Sequence, residues 1–329
     1  MRSGLRAVAA SQHGLFLRRQ ALSAGCTSRE FDALTRPGGS WVRVRYGVYF
    51  ENGLRQLLSS AQQLILRDHA ALLVCAEDAV LSHTSGARVQ GLSVYDVDDG
   101  LSHLTRDRQG RSSRVQAQVK HHLAELDPCH IVEVDGARVT DPLRTTMDMS
   151  REYGYRSGLV TADSALAAGA DPRELILRAQ ALGTEPRAPT IRAVARFADG
   201  RAQTPIETLG RVLLHDMGIT DLEPQYVIRF PNGRQAEGDL YSPSLNHLFE
   251  CDGKLKYQDQ LNDRGELVTA QKVIWLEKVR EDHVRGLGMG VSRIYWSDTF
   301  PQNFARVSAR LWREVKLQSG RGVWLPGGA

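Results

Sequence analysis

At 329 residues, with 42% hydrophobic and 24% charged side chains, the chain has the composition of a soluble globular protein of two or three domains. No run approaches the roughly eighteen apolar residues of a membrane span, and Arg2, Arg6, Arg18 and Arg19 interrupt the apolar stretch a signal peptide needs, so the cytoplasm is the expected location. The net charge of +4 is unevenly spread: residues 1–50 carry eight arginines against Glu30 and Asp32, a local charge of +6 that suits a phosphate-bearing partner. Cys26, Cys75, Cys129 and Cys251 are scattered, with no C-x-x-C pair and no histidine at ligand spacing, which predicts reduced thiols and neither a zinc site nor a disulfide framework.

In chain order, Leu5 to Ala10 reads as a helix and Arg18 to Leu22 as a second, ended by Gly25. Thr27-Ser28 caps a third that runs to about Thr35, with Glu30 complementing its dipole. After Pro37-Gly38-Gly39, Trp41-Val42-Arg43-Val44-Arg45 alternates apolar and basic residues, Tyr46-Gly47 turns, and Val48-Tyr49-Phe50 returns. A helix-turn-helix followed by a two-stranded ribbon is the pattern of a winged helix. Through His13-Gly14-Leu15-Phe16, Ala21-Leu22-Ser23-Ala24-Gly25 and Trp41 to Tyr49, the segment resembles the N-terminal winged helix of the AbiEi family of type IV antitoxins. The resemblance implies double-stranded DNA as a partner, with Ser28, Arg29 and Arg36 approaching it and Arg43 and Arg45 on the wing. A protein partner from a toxin–antitoxin or defence locus is a second expectation.

A mixed α+β middle domain is expected over 56–190, between a winged-helix domain at 1–55 and a third domain at 191–329. Leu57 to Leu73 is an amphipathic helix, Ala79 to His83 leads into a helix of small residues ending near Gly91, and His103-Leu104-Thr105 is a strand. Ile131 to Val139 is a hairpin with an Asp135-Gly136 turn. Thr140-Asp141-Pro142 opens a helix, with Thr140 as its cap. Ser82 to Ala87 together with Val139 to Thr145 and Asp148 resembles the middle region that accompanies such winged helices in many actinobacterial proteins. His83, Arg144 and Asp148 form a candidate polar site there, although buried structural roles are favoured.

In the third region, Pro205 to Met217 is a helix with Thr204 as cap, Glu207 in its first turn, and Ile206, Leu209, Leu213 and Met217 at helical spacing. Strands follow at 225–230, 235–241 and 247–252, then a helix from about Val268 to Gly286 and a final strand at 291–296. Asp239 lies on the second strand; Glu250 and Asp252 end the third, sharing one face with Lys254 if the strand continues. Carboxylates clustered on a core hairpin are costly unless paired or bound to a cation.

This α-β-β-β-α-β order, with Glu in the first helix, Asp on the second strand and Glu at the end of the third, resembles the restriction-endonuclease-like PD-(D/E)XK core. Glu250-Cys251-Asp252-Gly253, then Arg280-Glu281-Asp282 and Leu287-Gly288, with Arg293 and Trp296 beyond, is similar to its Vsr-like branch. The resemblance implies Mg²⁺ (with Mn²⁺ as a substitute) on Asp239 and Glu250, and Glu207, Asp252 and Lys254 completing the catalytic set. The chain departs from the family in carrying Asp252 where Lys or Gln is usual, with Lys254 two residues on, and Lys256 near the place of a branch histidine.

The fold class expected is therefore α/β multidomain: winged helix-turn-helix, mixed α+β middle, and a restriction-endonuclease-like αβββαβ core. A metal-dependent DNA endonuclease is the favoured function. The alternatives are a DNA-binding antitoxin or transcriptional regulator with an inactive nuclease fold, and a protein-interaction component of a defence locus.

Overall fold

The structure is a computed structural model describing residues 1–75, 78–97, 100–106, 113–253, 260–261, 267–268, 280–281 and 283–319. The chain is an α/β multidomain protein, and it divides into two compact units, Met1–Ala165 with Gly169–Ala198, and Leu166–Ala168 with Asp199–Ala329. None of its described helices is long and apolar enough to cross a membrane.

The first unit opens with α1 (Ser3–Ala10), β1 (Phe16–Leu17), α2 (Arg18–Ser23), α3 (Ser28–Leu34), β2 (Trp41–Arg45) and β3 (Val48–Glu51). The strands form an antiparallel sheet in the order β1-β3-β2. Thr27 caps α3 as its sequence predicts: its hydroxyl accepts the amide of Glu30 at 3.2 Å, and the Glu30 carboxylate accepts the Thr27 amide at 2.7 Å. Phe16 and Phe31 meet Trp41 edge-on, with centroids 4.9 and 5.7 Å away, and close a core with Leu5, Ala9 and Ala21.

The helix expected from Leu57 to Leu73 is α5 (Ser60–Leu73), and a short helix, α4 (Asn52–Leu57), precedes it. Ser59 separates them because its hydroxyl accepts the Gln62 amide, starting a new helix. Leu66 and Ala70 of α5 pack on Leu15, Leu17, Val48 and Phe50 of the first sheet.

The remaining strands of this unit are β4 (Val80–Leu81), β5 (Ser102–Arg106), β6 (Arg114–Gln116), β7 (Val119–Leu123), β8 (Ile131–Val134) and β9 (Ala137–Thr140). They make a mixed sheet in the order β6-β7-β5-β4-β9-β8, with β5 parallel to β7 and β4 parallel to β9. The β8–β9 turn has positive φ at both Asp135 (49°) and Gly136 (74°), the backbone that an Asp-Gly hairpin adopts. The helices that follow are α6 (His83–Val89), α7 (Pro142–Ala167), which Gly154 with a φ of 85° breaks into two segments, α8 (Pro172–Ala181) and α9 (Ala188–Phe197). Asp141, rather than Thr140, caps α7: its carboxylate accepts the Arg144 amide at 2.8 Å, while the Thr140 hydroxyl lies buried 2.8 Å from that of Thr145.

The second unit contains α10 (Pro205–Asp216), β10 (Glu223–Arg229), β11 (Gln235–Ser242), β12 (His247–Asp252), β13 (Gln260–Leu261), β14 (Leu267–Val268), β15 (Gly290–Tyr295) and α11 (Phe304–Ser319). Its four-stranded sheet has the order β10-β11-β12-β15, antiparallel except for the parallel pair β12–β15. β12 is buried along its whole length, as befits a central strand with a parallel partner. On one face Phe249, Cys251, Leu240 and Ile294 pack against Leu213 and Leu214 of α10 and Val307 and Leu311 of α11. On the other, Leu248, Ile228 and Val291 pack against Val284. The helix expected to begin at Val268 begins later, since Leu267–Val268 pairs with Gln260–Leu261; residues 280, 281 and 283–286 are helical.

Candidate functional site

The alternation along β11 and β12 decides which way the acidic side chains face. Phe249 and Cys251 enter the core under α10, so Leu248, Glu250 and Asp252 turn to the opposite face of the sheet. Leu240 also enters that core, while Tyr241 packs with Leu248 on the opposite face; a Cβ on Gly238 would meet Leu248 as well, so strict alternation breaks between Gly238 and Leu240, at Asp239. The β11–β12 ladder runs from Ser242↔His247 to Leu240↔Phe249, so Asp239 stands at the next step, beside Glu250. There the Asp239 carboxylate accepts the backbone amide of Cys251 at 2.6 Å. Asp239, Glu250 and Asp252 are thus neighbours at one end of the β11–β12 hairpin.

Arginines meet them. Arg280 pairs with Glu250 at 3.0 Å and donates to the Glu237 carbonyl at 2.7 Å, and Arg293 pairs with Asp252 at 3.3 Å and with Glu281 at 3.0 Å. Between Glu250, Arg280, Glu281 and Arg293 remains a cavity of about 10 Å³, room for a single water. With Glu250 and Asp252 buried, these pairings offset their desolvation.

Glu207 is also buried, and its role at the start of α10 reverses the expected cap. The Thr204 hydroxyl donates to its carboxylate at 2.6 Å, as do the Gln203 amide at 2.9 Å and the Gln225 side chain at 2.7 Å. Glu207 therefore closes the first turn itself and ties it to β10, consistent with an acidic side chain at a helix N-terminus. Lys254, Lys256 and Asp282 lie outside the described residues. His247 is buried on β12 with its Nε2 2.9 Å from the Ser292 hydroxyl, and burial lowers its pKa to about 4. His283 is exposed, edge-on to Phe230 at 5.9 Å.

Of the residues expected to approach DNA, Ser28 and Arg29 are exposed at the start of α3, Arg36 is exposed beyond its end, and Arg43 is exposed on β2. Arg45 differs. A register shift between Arg43 and Arg45 breaks their expected common face, and Arg45 is half-buried near Cys75 and Arg67, where desolvation lowers its pKa.

In the first unit, Arg144 and Asp148 form an ion pair at 3.0 Å, joined by Arg151 at 3.2 Å, and burial raises the Asp148 pKa. His83 lies in the electrostatic reach of Arg144, but its direct neighbours are His103 and His122, which no sequence spacing connects to it. Among the described residues, three or more ligand atoms of His, Cys, Asp or Glu come within 4.8 Å of one another at these three histidines, and not at the acidic face.

No protein-family profile and no curated protein matches the chain. Among solved structures, the crystal structure of the RV2827C protein from Mycobacterium tuberculosis is similar over 69% of this chain and 87% of that one, at 13% identity and a TM-score of 0.38.

Proposed function

We propose that the second unit is a Mg²⁺-dependent DNA endonuclease domain of the restriction-endonuclease-like type, and that residues 1–55 are a winged helix assisting duplex binding. The observation that carries this reading is the adjacency of Asp239 and Glu250 in the backbone at the end of a hairpin whose second strand pairs in parallel with β15. Hard carboxylate oxygens in small number are the donor set Mg²⁺ takes, the rest of its shell being water and substrate oxygen. Bound there, the ion would polarise the phosphoryl oxygen and lower the pKa of an attacking water.

The protein's own contribution is positional. The Cys251 amide holds the Asp239 carboxylate at the strand end. The Glu207 contacts fix α10 against β10, behind the hairpin. Arg280, only partly buried, is placed to exchange Glu250 for a phosphate oxygen once a cation takes that carboxylate. Exposed Arg29, Arg36 and Arg43 supply further phosphate contacts.

A second reading, a DNA-binding regulator on an inactive nuclease fold, is favoured by one observation: Arg280 and Arg293 already neutralise Glu250 and Asp252. Incubating the full chain with supercoiled plasmid in Mg²⁺, Mn²⁺ or EDTA separates the two. Nicking or linearisation that EDTA stops and Glu250→Gln abolishes supports the nuclease. A protein that binds duplex DNA and leaves plasmid, mismatched, nicked and branched substrates intact with either ion is the regulator.

A further inference from the structure

The first unit holds a side-chain cluster that neither nuclease nor winged helix explains. His83 begins α6, His103 lies on β5 and His122 on β7, and the parallel β5–β7 register sets Thr105 opposite His122. His103 Nδ1 is 2.9 Å from His122 Nε2, and the His83 ring stacks on that of His122 at 3.6 Å. His83 and His103 are buried, while His122 is partly open to solvent.

We propose that His83, His103 and His122 bind a borderline transition-metal dication, Zn²⁺ or a chemically similar ion, as a three-imidazole site. One ligand nitrogen from each residue lies within 4.8 Å of the other two. With metal–nitrogen bonds of about 2.0–2.1 Å, tetrahedral coordination sets the nitrogens roughly 3.4 Å apart, so the close His103–His122 contact opens by about half an ångström and the His83–His122 stack tilts.

The surroundings match what orients metal-bound imidazoles, whose second nitrogen usually bonds a neighbouring group. His83 Nδ1 is 2.9 Å from the Ser82 hydroxyl, which accepts from Thr105 at 2.7 Å, leaving His83 Nε2 as the ligand atom. The Tyr153 hydroxyl is 3.3 Å from His103 Nε2, leaving Nδ1 for the ion. His83 also holds a left-handed φ of 50°, uncommon for a residue with a side chain and concentrated at functional sites. The cations within electrostatic reach are themselves paired, Lys120 with Glu152 and Arg144 with Asp148, so they oppose a dication less than bare charges would. Imidazole-only donors select Zn²⁺, Cu²⁺, Ni²⁺ or Co²⁺ over Mg²⁺, which separates this site from the acidic face.

The test uses the full chain stripped with chelator and titrated with Co²⁺ and Zn²⁺. One equivalent of Co²⁺ is expected to develop visible d–d absorption that Zn²⁺ displaces and Mg²⁺ does not. His122→Gln, at the most accessible position, is expected to weaken binding at least 100-fold, while the exposed His215→Gln is expected to leave it unchanged. Loss of the site in a misfolded variant is controlled on the wild type itself: pulsed electron paramagnetic resonance on the Cu²⁺-loaded protein is expected to count three imidazoles. No uptake at micromolar metal, fewer than three imidazoles on the ion, or full affinity in a folded His122→Gln protein overturns the proposal.

Discussion

The carboxylate of Asp239 accepts the backbone amide of Cys251 at 2.6 Å, one step beyond the point where the β11–β12 ladder ends at Leu240↔Phe249. A side chain has replaced a rung of the hairpin. The substitution fixes the carboxylate by one oxygen beside Glu250, coupling hairpin geometry to the position of a charged group. Asp239→Asn keeps an oxygen acceptor and is expected to lose less than about 1 kcal/mol of stability, whereas Asp239→Ala leaves the amide without this acceptor and is expected to cost roughly 1–3 kcal/mol. Both should abolish Mn²⁺ binding measured by calorimetry. Equal heats for wild type and Asp239→Asn would remove Asp239 from the metal site.

Glycine 238 prepares that arrangement. A Cβ there would lie 2.3 Å from Leu248 Cδ1, across the hairpin, so the motif Gly238-Asp239 needs its glycine for close packing. Gly238→Ala is expected to destabilise the second unit by about 1–3 kcal/mol, as overpacking does. It should also lower cleavage by more than the fraction unfolded explains, because Leu248 and Glu250 move together. Urea melts beside plasmid assays measure both; undiminished specific activity in the folded fraction would dissociate packing from the site.

His247 predicts a pH dependence. Burial lowers its folded pKa to about 4, with Arg285 acting the same way and Glu314 opposing. A depressed histidine favours the neutral form in the folded state. Its contribution is complete above the unfolded value near 6.5 and is lost as pH falls from there to about 4, up to roughly 3 kcal/mol. His69, similarly depressed in the first unit, adds its own loss over the same window. The difference between wild type and His247→Asn, followed by denaturant melts from pH 7.5 to 4, should therefore show a shallower slope in the variant. Parallel pH profiles would mean that His247 is not protonated on unfolding as argued.

Much of this was legible where local chemistry decides. The Thr27 cap followed from Thr27-Ser28 before an acidic residue at the helix start, and the Asp135-Gly136 turn from a residue pair that tolerates two positive φ values in succession. The β11–β12 hairpin followed from the Ser242-Pro243-Ser244 turn beside the apolar stretch His247-Leu248-Phe249. What depends on distant pairing was not. Nothing in the spacing of His83, His103 and His122 shows that β5 and β7 run parallel and that α6 starts beside them. Helix α11 carried a signal, Val307, Leu311 and Val315 at four-residue spacing, that a search ending at the last strand passes over. Cap identities at Asp141 and Glu207 turned on which of two nearby polar side chains faces the helix, a matter of tertiary packing.

Arg43 and Arg45 give the most discriminating test of the N-terminal segment. Alternation alone sets them on one face of β2, but the register shift between them leaves Arg43 exposed and Arg45 half-buried near Cys75. If exposed arginines contact phosphates, Arg29→Gln and Arg43→Gln should each weaken duplex binding and reduce the slope of log affinity against log salt by about 0.9. Arg45→Gln should leave that slope unchanged within error, and any loss it causes should appear in the melting curve of the first unit. Fluorescence anisotropy from 50 to 300 mM salt, on labelled duplexes of unrelated sequence, reads both quantities. A slope change at Arg45 equal to that at Arg43 would mean that the register shift does not govern which arginine faces DNA. Unchanged slopes at Arg29 and Arg43 would remove this face from duplex binding altogether.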